Sequence, residues 1–195
     1  MASALRKEEA FIYTYRDYIN IPDNGKRYEV IDGELFMMAA PSRRHQGAIA
    51  VLIRRFGNYL HGKPCSVYGS PFDVRLPLYG EKEDDVINIV QPDVVVYCSK
   101  EKVDKRGGIA APEIVVEVLS PWNEKMDKQR KLNLYEKAGV KEYWIVDSDS
   151  ECVDVYVHNG VKFDTRVYYN PSSTITSAVF NDFKINTADI FYDPL

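Results

Sequence analysis

Residues 113–119, with the sequence EIVVEVL, constrain the fold more than any other stretch of the chain. Successive side chains of a β-strand point to opposite faces of its sheet, so this strand would be apolar on both faces. A strand of that kind is normally covered on both sides, as in layered α/β folds. Glu117 interrupts the apolar run, and an unpaired carboxylate beside apolar surface is costly. We therefore predict that Glu117 lies near the end of a buried strand.

The other segments indicate a mixed sheet in an α/β layered architecture. No internal repeat, low-complexity segment or linker divides the chain, so all 195 residues are predicted to form a single domain, 1–195. Residues from 171 onward show no clear pattern and are predicted to be irregular. The remaining predictions are helices over 8–20, 42–61 and about 123–138, strands over 66–76, 93–98 and 142–147, and hairpins around Asp32-Gly33 and Asn159-Gly160.

Composition indicates an ordinary soluble protein, with 45% hydrophobic and 28% charged residues. No apolar stretch is long enough to span a membrane, and the first residues, MASALRKEEA, lack the apolar core of a signal peptide. We therefore expect a cytoplasmic protein with no membrane partner. Cys65, Cys98 and Cys152 are odd in number and far apart, which predicts buried reduced thiols rather than a zinc site.

The charges are unevenly distributed, although the net charge is −4. Residues 35–72 contain no acid, and their five cations are Arg43, Arg44, Arg54, Arg55 and Lys63. Two interpretations remain open for this segment: a solvated helix face, or a patch that faces the phosphates of a nucleic acid.

Three charged residues and a histidine occupy positions where apolar side chains are expected. Asp93 enters the apolar run 94–96, much as Glu117 enters its own strand, so the two acids could face each other across the sheet. On the 123–138 helix, Lys131 lies near the middle of the inward stripe, and His45 continues the stripe of the 42–61 helix. The alternatives without a functional role are an exposed Asp127–Lys131 ion pair, a purely structural Glu117, and a His45 that is satisfied at the end of its helix.

One hypothesis accounts for the first three of these residues together. Two carboxylates at the ends of adjacent strands can hold a hard divalent cation through their oxygens. A nearby lysine can neutralise a phosphate or position the attacking water. Asp93, Glu117 and Lys131 are therefore candidates for a phosphodiester-hydrolysing site.

Pro92-Asp93, Glu117 and Lys131 resemble the PD-(D/E)XK nuclease superfamily, except that Leu119 stands where the motif lysine is expected. In this respect the chain resembles the bacterial Uma-type family of restriction-endonuclease-like proteins, in which the lysine has moved into the following helix. The resemblance covers roughly residues 25–160. The stretches that carry it are 28–34 (YEVIDGE), His45, 91–93 (QPD), 113–121 (EIVVEVLSP), Asp127 with Lys131 and Tyr135, and 138–147 (AGVKEYWIVD).

The resemblance implies a restriction-endonuclease-like fold, with a central mixed β-sheet flanked by helices and a β-hairpin toward each terminus. It implies Mg²⁺, or Mn²⁺ in its place, as the cofactor. The implied metal ligands are Asp93, Glu117 and the Val118 carbonyl, and the implied catalytic residues are Asp93, Glu117, Lys131, Glu34 and His45.

The function predicted on this basis is Mg²⁺-dependent endonucleolytic hydrolysis of DNA phosphodiester bonds. The alternative is a non-catalytic nuclease-fold module that binds DNA or a protein partner. A net charge of −4 without a long basic arm favours that alternative, or a homodimer that pools its positive surface. A metabolic hydrolase has little support, because GxSxG, Walker A and HExxH motifs are absent.

Overall fold

A computed structural model describes residues 11–120 and 124–192. The first residues of the predicted 8–20 helix and the predicted helix start at Asn123 lie outside the described residues. The helices are α1 (Tyr15–Tyr18), α2 (Arg43–Leu60), a π-helical turn (Met126–Lys131) that continues into α3 (Leu132–Ala138), and α4 (Thr187–Ile190). Short 3₁₀ turns cover Glu83–Asp85 and Lys100–Lys102.

The strands are β1 (Tyr28–Ile31), β2 (Glu34–Met37), β3 (Ser66–Gly69), β4 (Asp73–Arg75), β5 (Ile89–Val90), β6 (Val94–Tyr97), β7 (Val103–Asp104), β8 (Gly107–Gly108), β9 (Ile114–Val118), β10 (Glu142–Asp147), β11 (Cys152–His158), β12 (Phe163–Tyr169), β13 (Thr174–Thr176) and β14 (Lys184–Asn186).

The central sheet has the strand order β12-β11-β10-β9-β6-β3. Strands β9 and β10 are parallel and all other neighbours are antiparallel, so the predicted mixed sheet is confirmed. All five residues of β9 are buried, as its two apolar faces require.

Two apolar layers cover the central sheet. On one face, Leu52 and Phe56 of α2 pack with Val116 and Trp144. On the other face, Leu134 of α3 packs with residues of the sheet and of a second, smaller sheet. That second sheet has the order β2-β1-β5-β4-β8-β7 and includes the predicted N-terminal hairpin. Asp32 and Gly33 at its turn both have positive φ, as a two-residue hairpin turn of type I′ requires.

The predicted 66–76 strand is wrong as a single element. It divides at Ser70-Pro71, where Pro71 cannot donate a backbone hydrogen bond to a ladder. Strand β3, before the break, belongs to the central sheet, and β4, after it, belongs to the second sheet.

Helix α2 begins and ends much as predicted, and α3 ends at the predicted residue. The Ser42 side chain accepts a hydrogen bond from the His45 backbone N–H and caps α2. Helix α3 ends at Gly139, which has a φ of 77° in the left-handed region. The predicted regular helix is wrong over Met126–Lys131, which form a π-helical turn. None of the helices within the described ranges is both long and apolar enough to cross a membrane.

The cysteine prediction is wrong for two of the three residues. Cys65 and Cys98 form a disulfide, and Cys152 is a free, buried cysteine. The pairing of β3 with β6 sets Ser66 against Tyr97, which brings the next residues, Cys65 and Cys98, opposite each other. Sequence separation alone could not reveal this register.

The prediction of an irregular C-terminal tail is also wrong. Strands β13 and β14 form a small antiparallel sheet, and α4 follows directly. Ile175 and Phe183 from this segment are buried in the same apolar layer as α2. The elements are too short for a hydrophobic period to be recognised, yet the segment forms part of the core.

We expect Phe183→Ala to lower the free energy of unfolding by about 3–5 kcal/mol, because it removes a buried ring. The Phe183 ring stacks on Phe56 with centroids 4.4 Å apart. Urea unfolding measures the change, and Tyr192→Ala, at an exposed ring, serves as the control with an expected effect within about 0.5 kcal/mol. Equal effects of the two substitutions would show that the C-terminal segment does not stabilise the core.

Candidate active site

Asp93 and Glu117 lie at the ends of two adjacent antiparallel strands. Val94 of β6 pairs with Val116 of β9, so Asp93 and Glu117 follow one step further along the same register. Both are buried. The Asp93 Oδ2 atom accepts a hydrogen bond of 2.8 Å from the Val118 backbone N–H. The structure therefore brings together the two predicted carboxylates and the backbone of the third predicted metal ligand.

Lys131 is also buried, with only 3% of its side chain exposed. Its Nζ atom donates hydrogen bonds of 2.9 Å to Glu117 Oε1 and of 2.9 Å to Glu29 Oε1. Asp127 Oδ1 lies 3.7 Å from the same nitrogen, within the helical spacing i,i+4. The Asp127–Lys131 pair is therefore buried, and the alternative of an exposed helical pair is wrong.

Lys131 is the last residue of the π-helical turn that precedes α3. A π-helical turn holds more residues than an α-helical turn, and such turns are frequent at functional sites. Asp127 and Lys131 are the two buried residues of this turn. The local departure from α-helical geometry thus occurs where two charged side chains enter the protein interior.

Sequence reasoning missed Glu29, which lies on β1 in the second sheet. Its Oε1 atom accepts a hydrogen bond of 2.7 Å from the Gln91 backbone N–H in addition to the one from Lys131. The signal was available, because Glu29 interrupts the apolar pattern of YEVI as Glu117 interrupts its own strand. Strand β1 is only four residues long, which makes that pattern weak.

Tyr135 was also missed as a site residue. Its hydroxyl donates a hydrogen bond of 2.6 Å to Glu117 Oε1, the oxygen that Lys131 also contacts. On the sequence, Tyr135 is simply part of the apolar stripe of the helix, so its hydroxyl carried no signal of its own. Glu117 is thus oriented by both a cation and a phenol.

The structure separates the other two predicted catalytic residues. His45 joins the cluster, with Nε2 3.3 Å from Asp93 Oδ2, and its Nδ1 has no hydrogen-bond partner among the described residues. Glu34 does not join it: its side chain is 61% exposed and forms an ion pair with Arg130. Glu34 is the first residue of β2, beside the hairpin turn, and its partner in the ladder is Ile31 rather than Glu29.

The cluster contains more acids than bases. Four buried carboxylates, those of Glu29, Asp93, Glu117 and Asp127, surround one ammonium and one imidazole. Burial raises the pKa of Glu117 well above its usual range, and Lys131 opposes this only in part. Burial likewise raises the pKa of Asp127 to about 7. The site therefore favours the uptake of protons or of another cation.

The Lys131 ammonium remains charged in this setting. Burial by itself lowers the pKa of Lys131, but Glu117, Glu29 and Asp127 outweigh that effect and hold its pKa well above the usual range. A lysine held in this way is a permanent positive charge, so it can stabilise an anion and cannot serve as a base.

The donor set fits a magnesium ion better than a closed metal cage. Within the described ranges, no three His, Cys, Asp or Glu side chains form a metal-holding group. Mg²⁺ does not need such a group, since it keeps several waters and takes one or two carboxylates together with substrate phosphates. The second carboxylate oxygens, Asp93 Oδ1 and Glu117 Oε2, accept no hydrogen bond from any residue that the structure describes. These two oxygens are hard ligands suited to Mg²⁺ or Mn²⁺.

The positive segment of the chain is largely neutralised by ion pairs. Arg44 lies 2.8 Å from Glu151 Oε1, Arg55 pairs with Asp189, and Lys63 Nζ lies 3.6 Å from Asp182 Oδ2. These three cations therefore behave as members of a solvated, ion-paired face in the absence of a ligand.

A family model described as "Uma2: Putative restriction endonuclease" matches residues 15–188. The "uncharacterized protein slr1290" of Synechocystis sp. is 30% identical over 135 residues, which are 69% of this chain and 67% of that protein. The crystal structure of "a putative nuclease belonging to DUF820" from Anabaena variabilis superposes with a TM-score of 0.74 and 15% identity, and the match covers 92% of this chain and 97% of that one. The predicted restriction-endonuclease-like fold is confirmed.

We expect Lys131→Met to lower the free energy of unfolding by about 3–5 kcal/mol in metal-free buffer, because it leaves buried carboxylates without their cation. Lys128→Met on the same turn is the matched control, with an expected loss of at most about 0.5 kcal/mol, since Lys128 forms an exposed pair with Glu124. Urea unfolding measures both. Adding Glu117→Gln to Lys131→Met should restore part of the lost free energy of unfolding. If the effects of the two substitutions simply add in the double variant, Lys131 and Glu117 are not coupled.

Asp127 should make stability depend on pH. Its pKa is about 7 in the folded state against an ordinary value of 3.8, so between these values the folded state binds more protons than the unfolded state. This carboxyl therefore lowers the free energy of unfolding progressively as the pH rises from about 4 to about 7. As the pH rises across that window, the free energy of unfolding of Asp127→Asn should increase by on the order of 1–3 kcal/mol relative to that of the unsubstituted chain. Urea unfolding at several pH values in EDTA measures this, and parallel curves for the two proteins would contradict it.

Proposed function

The chain belongs to the Uma2 family, and from this membership and the composition of the buried cluster we propose that it is a Mg²⁺-dependent endonuclease that hydrolyses phosphodiester bonds of DNA. Asp93 and Glu117 are the proposed metal ligands and Lys131 the proposed active-site lysine.

One observation carries this proposal: the excess of buried carboxylates at the ends of β6 and β9. A purely structural cluster needs no more acids than its cations and hydrogen-bond donors can satisfy. Here Asp93 and Glu117 each retain a carboxylate oxygen without a donor among the described residues. A divalent cation at these oxygens would balance the charge, which gives the arrangement a chemical reason.

The bound cation would act as a Lewis acid on the scissile phosphate. Glu117 and Asp93 would hold it, with the Val118 carbonyl as a third ligand and with Mn²⁺ as an alternative to Mg²⁺. Lys131 would neutralise the charge that develops on the phosphate oxygens in the transition state. Glu29 and Tyr135 would set the positions of Lys131 and Glu117 through the hydrogen bonds described above. His45 would hold Asp93 in place from the first turn of α2.

The second candidate function is a non-catalytic module that binds DNA or a protein partner. It is favoured by the saturation of Lys131, which already contacts three carboxylates, and by the ion pairs that occupy Arg44, Arg55 and Lys63. A homodimer that pools positive surface would reconcile this ion pairing with DNA binding. Cleavage assays separate the two functions.

Lys131→Ala should lower the rate of DNA cleavage by roughly 10²–10³ per folded molecule, because charge stabilisation at the phosphate is lost. Lys128→Ala removes the same charge from an exposed position and should leave the rate nearly unchanged. Nicking of plasmid DNA and cleavage of single-stranded DNA, with and without Mg²⁺ or Mn²⁺, are the measurements. The folded fraction of each variant is determined by circular dichroism.

Equal cleavage rates for the two lysine variants would refute the role of Lys131. A wild-type chain that cuts no substrate with either metal would favour the binding module.

Metal binding is measured separately from cleavage by calorimetry. We expect Mg²⁺ or Mn²⁺ to bind the folded chain and to raise its melting temperature. Asp93→Asn and Glu117→Gln should each weaken the metal affinity, whereas Glu34→Gln, at an exposed residue paired with Arg130, should not. Because DNA can complete the ligand set, the titration is repeated with uncleavable DNA, and the absence of binding in both titrations would refute the metal site.

A further inference from the structure

A recess adjoins the cluster on the side of the second sheet. Its volume is about 430 Å³, within the range of small-molecule sites. The residues that line it and enter the argument are Tyr68, Phe72, Gln91, Lys105 and Arg106. Gln91 stands two residues before Asp93. Its backbone N–H donates a hydrogen bond to Glu29 Oε1, the oxygen that also accepts a hydrogen bond from Lys131. A residue that lines the recess is thus hydrogen-bonded to a carboxylate of the candidate active site.

Gln91 presents a fixed but unused acceptor. Its side chain is largely buried, at 8% exposure, and its Nε2 donates to Tyr18 at 3.0 Å and to Asp73 at 2.8 Å. These two bonds hold the amide in place. The Oε1 atom has no partner among the described residues, although a buried polar atom without a partner is costly. An N–H donor from a ligand would satisfy it.

Two aromatic rings form part of the wall. Tyr68 and Phe72 are stacked, with centroids 4.5 Å apart and an angle of 13° between their planes. Tyr97 packs against Phe72 at 6.1 Å and supports the pair from behind. Both stacked rings are partly exposed, so a further planar group can lie against them.

Two cations lie at the rim. Lys105 is exposed and forms no ion pair with any residue that the structure describes. Arg106 is 57% exposed and lies 3.4 Å from Glu83. Of the acids of the same wall, Asp104 is ion-paired with Arg75, and Asp73 accepts hydrogen bonds from the neutral Tyr18 hydroxyl and Gln91 amide. The rim therefore offers positive charge to an anion that accompanies a planar group.

We propose that this recess binds one unstacked nucleobase of a nucleic acid whose scissile phosphate, at another nucleotide, is held at the Asp93–Glu117 cluster. This inference rests on the proposed function. The base would stack on Phe72, and an amino group of the base would donate to Gln91 Oε1. The phosphate of that nucleotide would lie near Lys105. An enzyme built in this way would prefer single-stranded or locally opened nucleic acid to a regular duplex, because its base must leave the stack.

The test compares a short single-stranded oligonucleotide with the same strand carrying one abasic position. Fluorescence anisotropy with the full chain in Ca²⁺, which occupies oxygen sites, and in EDTA gives the affinities. Base stacking on an aromatic ring is worth ~1–3 kcal/mol, so the abasic strand should bind about tenfold more weakly. Strands of adenine or cytosine, which carry an exocyclic amino group, should bind more tightly than strands of thymine, which has no amino group and only its ring N3–H as a donor.

Variants test the same recess from the protein side. Phe72→Ala should weaken binding of the intact strand by roughly tenfold and leave binding of the abasic strand unchanged. Lys105→Ala should reduce the dependence of affinity on salt. Tyr79→Ala, at an exposed ring that does not line the recess, is the matched control. It should change neither the affinity for the intact strand nor the dependence of affinity on salt.

The possible outcomes separate this inference from the proposed function. If the chain cuts DNA but the abasic strand binds as tightly as the intact one, the recess does not bind a base, and the inference fails alone. If no oligonucleotide binds in either buffer, both fail. If deoxyadenosine monophosphate alone binds as tightly as the oligonucleotide, the recess is a mononucleotide site, which also overturns the inference.

Discussion

The hydrogen bonds from the buried Lys131 ammonium to Glu117 and Glu29 hold the two sheets to each other. Glu117 lies on β9 of the central sheet, Glu29 on β1 of the second sheet, and Lys131 on the turn that leads into α3. One side chain therefore connects three elements of the fold. Apolar packing tolerates small shifts, whereas these bonds fix distances and directions, so the cluster specifies how the layers are placed against each other.

Such a connection is an expensive way to stabilise a fold. Burying charged groups carries a desolvation penalty that their ion pairs often do not repay, and here four buried carboxylates surround one ammonium. The raised pKa of Glu117 expresses this cost, because burial outweighs its attraction to Lys131. The π-helical turn and the unpartnered Gln91 oxygen lie in the same region. Several local rules are broken together here, which is the pattern expected where function rather than stability selects the residues.

The sequence predicts the charged residues of this region wherever a long pattern makes them conspicuous. Asp93, Glu117 and Lys131 stand in runs whose period demands apolar side chains, and each lies where that argument puts it. Glu29 and Tyr135 escape the argument, the first because β1 is short and the second because a tyrosine fits an apolar stripe. The Cys65–Cys98 bond and the ordered C-terminal segment depend on strand register and on contacts distant in sequence, which no local pattern contains.

The N-terminal hairpin shows how few positions separate a site from a surface. Glu29 and Glu34 are five positions apart on two paired strands, yet only Glu29 reaches the cluster. Glu29 pairs with Phe36 within the ladder, whereas Glu34 pairs with Ile31 beside the turn, two residues further along the same face. Glu34 instead forms an ion pair with Arg130 at the surface. A solved structure that is 15% identical shares the fold of this chain, with a TM-score of 0.74, although most side chains differ. The chemistry proposed for this chain therefore depends on a handful of inward-facing polar positions, and the fold supplies only the geometry at which they meet.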